Sequence, residues 1–243
     1  MKIVAIIPAR YQSQRFPGKA LAKIGEKPMI EHVYRRVSRV DILDEVIVAT
    51  DDRQIFDTVK SFGGKVQMTA AHHRSGTDRI AEVARQLSCD LIVNVQGDEP
   101  LIKSEMIKTA LQPFFTENNL KMSTLKKKTT KTAEINNPNV VKVVSDIKGY
   151  ALYFSRLPLP YQCKKEAAIY KHIGLYVYSR DFLLEYNQLE PTPLERTESL
   201  EQLRVLEHGF KIKVMETTCD TVGVDTPRDL QQVAQKMVKQ QML

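Results

Sequence analysis

Cationic and hydroxyl side chains are concentrated in a loop close to the N-terminus. Arg10, Ser13, Arg15 and Lys19 all fall within residues 9–20, directly after an apolar run. Backbone amides at a turn, together with arginine and lysine, can hold a triphosphate. The Walker A spacing of glycine, lysine and a hydroxyl residue is absent. The residues alone therefore leave two interpretations open, a triphosphate site and a basic surface loop.

Two aspartates stand at positions suited to a divalent cation. Asp98 follows an apolar run within 96–100, and Asp225 precedes the last amphipathic stretch within 223–227. A carboxylate at the end of a buried strand can ligate Mg²⁺, and a neighbouring glycine lets a ligand approach the backbone. Each aspartate also has a simpler interpretation as the N-cap of the next helix. Taken alone, the N-cap interpretation is favoured for Asp98, and it is the simpler alternative for Asp225.

The elements that position these loops alternate in the first half of the chain. Strands are predicted at 2–7, 45–49, 65–68 and 91–95, and helices at 28–40, 52–62 and 75–87. This alternation predicts the α/β class, with a mostly parallel twisted sheet and helices on both faces. Ligands of such sheets bind outside the carboxyl ends of the strands. The loops at 9–19 and 96–100 are therefore candidate site loops.

The second half has a different order of elements. Strands are predicted at 140–144, 151–154, 173–178 and 211–215, and helices at 179–186, 195–208 and 227–237. Neither a strand nor a helix period is present at 158–168. We predict a single domain over residues 1–243 with a smaller inserted lobe at about 150–205.

Composition excludes several classes of protein. The chain has 243 residues, 42% of them hydrophobic, and a net charge of +7 from 36 basic and 29 acidic residues. Such a chain is not a disordered one. Its apolar runs are too short to span a bilayer, and no signal peptide is visible. Three widely spaced cysteines support neither a disulfide framework nor a zinc site. We expect a cytoplasmic protein without a membrane partner.

The positive charge suits a polynucleotide or a small anionic substrate such as a nucleotide, or it comes from scattered lysines that have no functional role. The densest basic run, residues 126–131, contains no aromatic side chain. Sites that stack bases interleave aromatic and basic residues. We therefore predict that this run is a solvated loop and that the protein has no nucleic-acid partner.

Nine short segments stand out in order along the chain. They read IPARY (7–11), RFPGK (15–19), ATD (49–51), SGTDR (75–79), VNVQGDEP (93–100), ALYFSR (151–156), HIGLY (172–176), LEQLR (200–204) and GVDTP (223–227). Together they resemble one family of enzymes, the 3-deoxy-manno-octulosonate (Kdo) cytidylyltransferases. The residues at 153–156 and 201–204 separate this family from other sugar nucleotidyltransferases.

The resemblance implies a fold like that of nucleotide-diphospho-sugar transferases and a reaction, CTP plus Kdo giving CMP-Kdo and pyrophosphate for lipopolysaccharide synthesis. It assigns catalysis to Lys19, Asp98 and Asp225, and makes the two aspartates the ligands of Mg²⁺. The nucleotide would be bound by Arg10, Ser13, Lys19, Arg74 and Ser75. The sugar-binding side of the site would be lined by Gln96, Arg156, His172, Tyr176, Glu198 and Glu201.

The sugar-side residues also have simpler interpretations. His172 and Tyr176 suit a packed core. Glu198 and Glu201, expected three apart on one helix face, suit solvated acids or ion pairs of a dimer. The guanidinium of Arg156 suits the Kdo carboxylate. The resemblance further implies a homodimer formed through the 150–205 lobe.

Three other functions remain as alternatives. The same chemistry could act on 8-amino-Kdo, or on another acidic sugar such as a sialic acid. A non-catalytic nucleotide-binding or nucleic-acid-binding protein is a more distant alternative, because a binding module needs no metal-ligating carboxylates.

Overall fold

A computed structural model describes residues 1–13, 15–73, 75–163 and 167–239 of the chain. Its strands are β1 (Ile3–Ala9), β2 (Lys23–Ile24), β3 (Lys27–Pro28), β4 (Glu45–Thr50), β5 (Val66–Met68), β6 (Leu91–Asn94), β7 (Met122–Thr129), β8 (Lys142–Ser145), β9 (Ala151–Ser155), β10 (Ile169–Ser179) and β11 (Ile212–Glu216). Its helices are α1 (Met29–Val37), α2 (Arg53–Ser61), α3 (Gly76–Arg85), α4 (Ser104–Leu111), α5 (Thr132–Ile135), α6 (Arg180–Tyr186), α7 (Pro193–Glu198), α8 (Gln202–Glu207) and α9 (Pro227–Lys239), with short 3₁₀ helices at Lys19–Leu21 and Gln112–Phe115.

The chain divides into two compact units. The first comprises the described parts of Met1–Ser104 and Thr221–Leu243, and the second comprises those of Glu105–Asp220. The lobe predicted at about 150–205 falls inside the second unit. The single domain and its lobe stay predictions.

A parallel sheet in the order β6-β1-β4-β5 forms the centre of the first unit. β1, β4 and β6 are buried nearly throughout, which explains their apolar runs, whereas β5 at the edge is partly exposed. The register pairs Ala9 with Thr50, and Ile6 with Asn94. The carboxyl ends of β1, β4 and β6 therefore lie at one edge, and the loops that follow β1 and β6 start there.

A small apolar cluster anchors the C-terminal segment within the first unit. Val233 and Met237 of α9 pack with Val224, Met29 and Leu101, and all five are almost fully buried. Burial of each such side chain contributes about 1.5–3 kcal/mol. This packing fixes the chain on both sides of Asp225.

The second unit is built mainly from antiparallel pairs. β10 pairs with β7 and, through Lys171 and Lys142, with β8, while β8 pairs with β9. β11 lies parallel to β7. None of the helices in the described ranges combines the length and the apolar character that a bilayer span requires.

The prediction of a solvated loop at 126–131 is wrong for residues 126–129. Lys126, Lys127 and Lys128 lie in β7, which starts with a buried run from Met122. Lys126 donates to Ser145 at 2.6 Å and lies 4.4 Å from the centroid of the Tyr170 ring. The aliphatic parts of lysine side chains pack against apolar surface, so strand pairing tolerates them.

The prediction of one continuous helix at 195–208 is also wrong, because two short helices, α7 and α8, occupy this stretch. α7 ends at Glu198, and Ser199 adopts a left-handed conformation with φ 52°. A left-handed residue cannot continue a right-handed helix, so α8 starts anew at Gln202. Glu198 and Glu201 therefore do not share the face of one helix.

Candidate active site

The loop after β1 closes on itself before Lys19. Gly18 has φ +68° and donates its backbone N–H to the carbonyl of Tyr11 at 2.8 Å. A Cβ at this position would lie 3.2 Å from the Tyr11 ring, in a conformation that L side chains rarely adopt. Glycine thus allows the turn that delivers Lys19 to the start of a 3₁₀ helix.

The loop after β6 lies against the end of β1 because it contains Gly97. A Cβ on Gly97 would come within 2.8 Å of the carbonyl oxygen of Pro8, closer than real Cβ atoms approach. The close approach of the two backbones brings Asp98 to the loop that carries Lys19.

Lys19, Asp98 and Asp225 meet in one cluster of the first unit. The Lys19 ammonium donates to Asp98 Oδ2, to Asp225 Oδ1 at 3.3 Å and to the carbonyl of Val224 at 3.2 Å. Arg15 Nη2 lies 2.9 Å from Asp225 Oδ2. The structure therefore brings together the three residues that the resemblance makes catalytic, although they are far apart in sequence.

The simpler interpretation of Asp225 as an N-cap is wrong. Thr226 and Asp229 form the reciprocal cap of α9: Asp229 N donates to Thr226 Oγ1 at 3.2 Å, and Thr226 N donates to Asp229 Oδ2 at 2.9 Å. Asp98 is not an N-cap either, because α4 begins only at Ser104. Neither carboxylate is needed to cap a helix.

Glu99 is a member of this cluster that our sequence analysis did not select. Its carboxylate accepts a hydrogen bond from Thr221 Oγ1. Burial raises the pKa of Glu99 to about 8, and the neighbouring carboxylates of Asp98 and Asp225 add to the shift. Its position beside Asp98 in the sequence was the available signal.

The carboxylates fit a magnesium ion that is shared with a substrate. No cluster of three or more His, Cys, Asp or Glu side chains suited to a metal occurs in the described ranges. Magnesium, however, is usually bound through one or two carboxylates together with substrate phosphates. Asp98 and Asp225 each present an oxygen to the same ammonium, that of Lys19, so they are close enough to act on one ligand.

The nucleotide-side residues of the first unit occupy two loops. Arg10 is exposed and Ser13 half-buried in the loop after β1. Ser75 caps α3, because its Oγ accepts from Asp78 N at 3.1 Å. The hydroxyl proton of Ser75 is not used by this bond. Arg74 lies outside the described residues. Their contacts with a nucleotide stay predictions.

Of the sugar-side residues, Gln96 is in the first unit and the other five are in the second. The side-chain nitrogen of Gln96 donates to Asn94 Oδ1 at 3.2 Å. Tyr176 Oη donates to Gln202 Oε1 at 3.3 Å, and its ring lies 5.4 Å from that of His172. Burial lowers the pKa of His172 to about 3, so its ring is neutral at physiological pH.

Arg156 is held by backbone carbonyls. Its Nε donates to Glu198 O at 2.7 Å, its Nη1 to Pro138 O at 3.0 Å and its Nη2 to Ser199 O at 3.2 Å. A guanidinium carries five N–H donors. Among the described residues, these three bonds leave two of the five N–H groups for a ligand, and pairing with a sugar carboxylate stays a prediction.

The two glutamates predicted on the sugar side, Glu198 and Glu201, differ in their surroundings. Glu198 accepts from Ser155 Oγ at 2.7 Å and from the backbone N–H of Arg156 at 2.9 Å. It is therefore a structural acceptor in this unit. Glu201 is exposed at the start of α8.

Lys142 was missed by the sequence analysis. It is fully buried, and its ammonium donates to the carbonyls of Asn137, Val140 and Arg156 at 3.0, 2.5 and 2.6 Å. Burial lowers its pKa. Lys142 thus joins these parts of the backbone through their carbonyls. A single lysine in a strand gives no sign of this in the sequence.

Comparisons with known proteins identify the family to which the chain belongs. A family model described as cytidylyltransferase matches residues 4–212. The 3-deoxy-manno-octulosonate cytidylyltransferase of Geobacter metallireducens is 54% identical, and the match covers all of both chains. The enzyme of the same name from Geotalea uraniireducens is 54% identical over 98% of this chain and all of its own.

The chain belongs to the 3-deoxy-manno-octulosonate cytidylyltransferase family.

A solved structure of a CMP:2-keto-3-deoxy-manno-octonic acid synthetase complexed with CTP has a similar fold. Its TM-score is 0.95 at 44% identity, and the match covers 99% of this chain and all of that one. The resemblance found in the sequence and the predicted, mostly parallel α/β fold are thus confirmed. As a member of the 3-deoxy-manno-octulosonate cytidylyltransferase family, the protein is a nucleotidyltransferase.

Proposed function

We propose that the protein transfers CMP from CTP to Kdo, releasing pyrophosphate, and that the CMP-Kdo formed serves lipopolysaccharide synthesis. The observation that carries this proposal is the cluster of Lys19, Asp98 and Asp225 in a chain of this family. In the reaction, the anomeric hydroxyl oxygen of Kdo forms a bond to the α-phosphorus. The bond from that phosphorus to the bridging oxygen of pyrophosphate breaks, and the hydroxyl proton is lost to solvent.

The residues of the first unit act mainly by position and charge, as expected for transfer to a phosphorus centre. Arg10, Ser13 and Lys19 bind the phosphates, and Lys19 offsets the negative charge that develops on the departing pyrophosphate. Asp98 and Asp225 would hold Mg²⁺. When bound, Mg²⁺ neutralises phosphate charge and lowers the pKa of a nearby hydroxyl.

The residues of the second unit act on the sugar in this proposal. His172, Tyr176 and Glu201 contact Kdo hydroxyls, and Arg156 pairs with the carboxylate through its two remaining N–H groups. Glu198 contributes by holding the backbone of Arg156, since both of its carboxylate oxygens accept bonds from 155–156.

Pyrophosphate release from the purified protein tests the reaction. Mg²⁺ and CTP are supplied with Kdo, 8-amino-Kdo or a sialic acid in parallel, and a reaction with EDTA tests the metal. Release with Kdo that EDTA abolishes is the expected result. Stronger release with 8-amino-Kdo would keep the mechanism and change the substrate. No release with any sugar from folded protein that binds CTP would overturn the proposal.

A homodimer formed through the 150–205 lobe is supported by exposed apolar side chains. Leu152, Leu157 and Tyr161 are 62%, 70% and 88% exposed. Large apolar side chains as exposed as these are candidates for burial at a protein interface. Sedimentation should find a dimer that Leu152→Glu and Leu157→Glu weaken. Val238→Glu changes an equally exposed side chain of the first unit, and should leave the dimer unchanged. A wild-type monomer would refute this arrangement.

We propose a cytoplasmic location because the cysteines form no disulfide bond with one another. Cys89, Cys163 and Cys219 are all free thiols. Free thiols persist in a reducing compartment.

A further inference from the structure

A β-bulge in β10 places His172 beside Thr124 of β7. The antiparallel register pairs Ile173 with Leu125 and then Tyr176 with Thr124. Two residues of β10 therefore have no counterpart on β7. Such bulges change the direction of nearby carbonyl groups and side chains. Here the carbonyls of Ile173 and Leu175 both come within hydrogen-bond distance of one hydroxyl.

Within the part of the chain that the structure describes, the fully buried hydroxyl of Thr124 has three hydrogen-bond partners and one proton. Its Oγ1 lies 2.8 Å from the carbonyl oxygen of Leu175, 3.2 Å from that of Ile173 and 2.9 Å from Nε2 of His172. Carbonyl oxygens only accept hydrogen bonds. If the hydroxyl proton went to Nε2, both carbonyl oxygens would face the lone pairs of Oγ1 at 2.8 and 3.2 Å with no proton between them, and such contacts between acceptors are repulsive. The proton therefore goes to a carbonyl, most directly to that of Leu175.

This arrangement determines which nitrogen of His172 carries a proton. Because Thr124 Oγ1 uses its proton on a carbonyl, it acts as an acceptor toward Nε2, which must then be an N–H. A neutral imidazole has a single N–H, so Nδ1 is an acceptor. None of the described residues donates to Nδ1. The ring is held in place by an edge contact with Phe154, whose ring centroid lies 5.0 Å away.

We propose that Thr124 is a positioning residue that fixes His172 in its Nε2–H tautomer, so that Nδ1 accepts a hydrogen bond from a hydroxyl of the acceptor sugar. The assignment of the sugar rests on the proposed function. An unprotonated nitrogen attracts O–H donors and repels carboxylate oxygens. His172 therefore recognises a hydroxyl of the acidic sugar and not its carboxylate.

The tautomer is tested directly in the wild-type protein. Long-range ¹H–¹⁵N correlation spectra of protein labelled with [¹⁵N]histidine distinguish a protonated from an unprotonated ring nitrogen. Comparison with His172→Gln assigns the signals, since the four other histidines remain. A protonated Nε2 with an unprotonated Nδ1 supports the proposal. A protonated Nδ1 overturns it, and this result does not depend on whether the protein is active.

Two substitutions test the consequence for the sugar. Thr124→Val keeps the branched shape and removes the acceptor, and should raise KM for Kdo about tenfold, the equivalent of one neutral hydrogen bond. KM for CTP should change less than about twofold, because only the sugar contact is altered. Thr124→Ser keeps the hydroxyl and should restore KM for Kdo to within about twofold of the wild type.

The outcomes separate positioning from packing. Equal loss in Thr124→Ser and Thr124→Val, or a rise in KM for CTP as large as that for Kdo, would indicate a packing role and overturn the proposal. If Thr124→Val does not fold, the wild-type spectrum and the Thr124→Ser kinetics decide. Failure of the wild type to release pyrophosphate with any sugar would refute the proposed function, while the tautomer would still be read from the spectrum.

Discussion

Glu99 allows a quantitative test of the electrostatics around the proposed catalytic cluster. Its pKa is raised to about 8 by burial and by Asp98 and Asp225, whereas an unfolded glutamate titrates near pH ~4.3. The folded protein therefore binds this proton more tightly than the unfolded chain does. The resulting stabilisation is complete below the unfolded pKa and is lost as the pH rises through the folded pKa. The Glu99→Gln variant has no titratable group at this position, so its stability lacks this dependence on pH.

The expected magnitude follows from the two pKa values. Each unit of pKa difference is worth about 1.4 kcal/mol. Between about pH 5 and about pH 7, the free energy of unfolding of Glu99→Gln should rise relative to the wild type by about 2–3 kcal/mol. Thr221→Val removes the hydroxyl that donates to the Glu99 carboxylate. This bond favours the charged form of Glu99. Its loss should therefore raise the pKa of Glu99 further, so that the stabilisation persists to higher pH.

Urea unfolding at a series of pH values, in EDTA, measures the effect. The control is Glu26→Gln, which makes the same chemical change at an exposed position between β2 and β3. Its curve should run parallel to that of the wild type. If the curve of Glu99→Gln is also parallel to the wild-type curve over this range, the pKa of Glu99 is not raised and the reasoning is refuted.

Three further predictions concern turnover and backbone strain. Asp98→Asn and Asp225→Asn should each lower kcat by at least about 10³-fold with unchanged circular dichroism, since neither side chain caps a helix; full activity in either variant would remove that residue from the metal site. Lys19→Met should lower kcat/KM by at least about 10²-fold in steady-state assays, and a loss below about tenfold would argue against its role at the phosphates. Ser199→Gly should be more stable to urea than Ser199→Ala by about 1 kcal/mol, because glycine adopts the left-handed conformation freely; equal stability would indicate that Ser199 is not strained.

The elements that carry the candidate site in the first unit were predictable because their patterns are local. The run in β1 and that in β6 up to Val93 are continuously apolar, as expected for strands buried on both faces. The helices between these strands carry apolar residues at the helical period. Parallel pairing then aligns the carboxyl ends of the strands. From this alone, the loops of Lys19 and Asp98 fall at one sheet edge.

The errors arose where distant contacts override a local pattern. A run of lysines suggests a solvated loop, but Lys127 lies in β7 and forms an ion pair with Asp220 at 3.3 Å. The stretch at 195–208 has helical character throughout, yet the carbonyl of Ser199 is bound by Arg156 from β9's end, and the helix breaks there. Neither partner is near in sequence, so neither effect has a local signal.

Asp225 shows how far a local signal can settle a question of function. An acid before a helix is ambiguous between an N-cap and a ligand, and Asp225 stands just before α9. Thr226 and Asp229, however, have the spacing of a capping box, which is visible in the sequence and is formed in the structure. Once these two residues satisfy the backbone N–H groups at the start of α9, the carboxylate of Asp225 has no structural task there. It contacts Arg15 and Lys19 instead, and it is not committed to the helix, as the proposed metal site requires. The same argument applies to any acid that directly precedes a complete capping box, because the helix no longer competes for it.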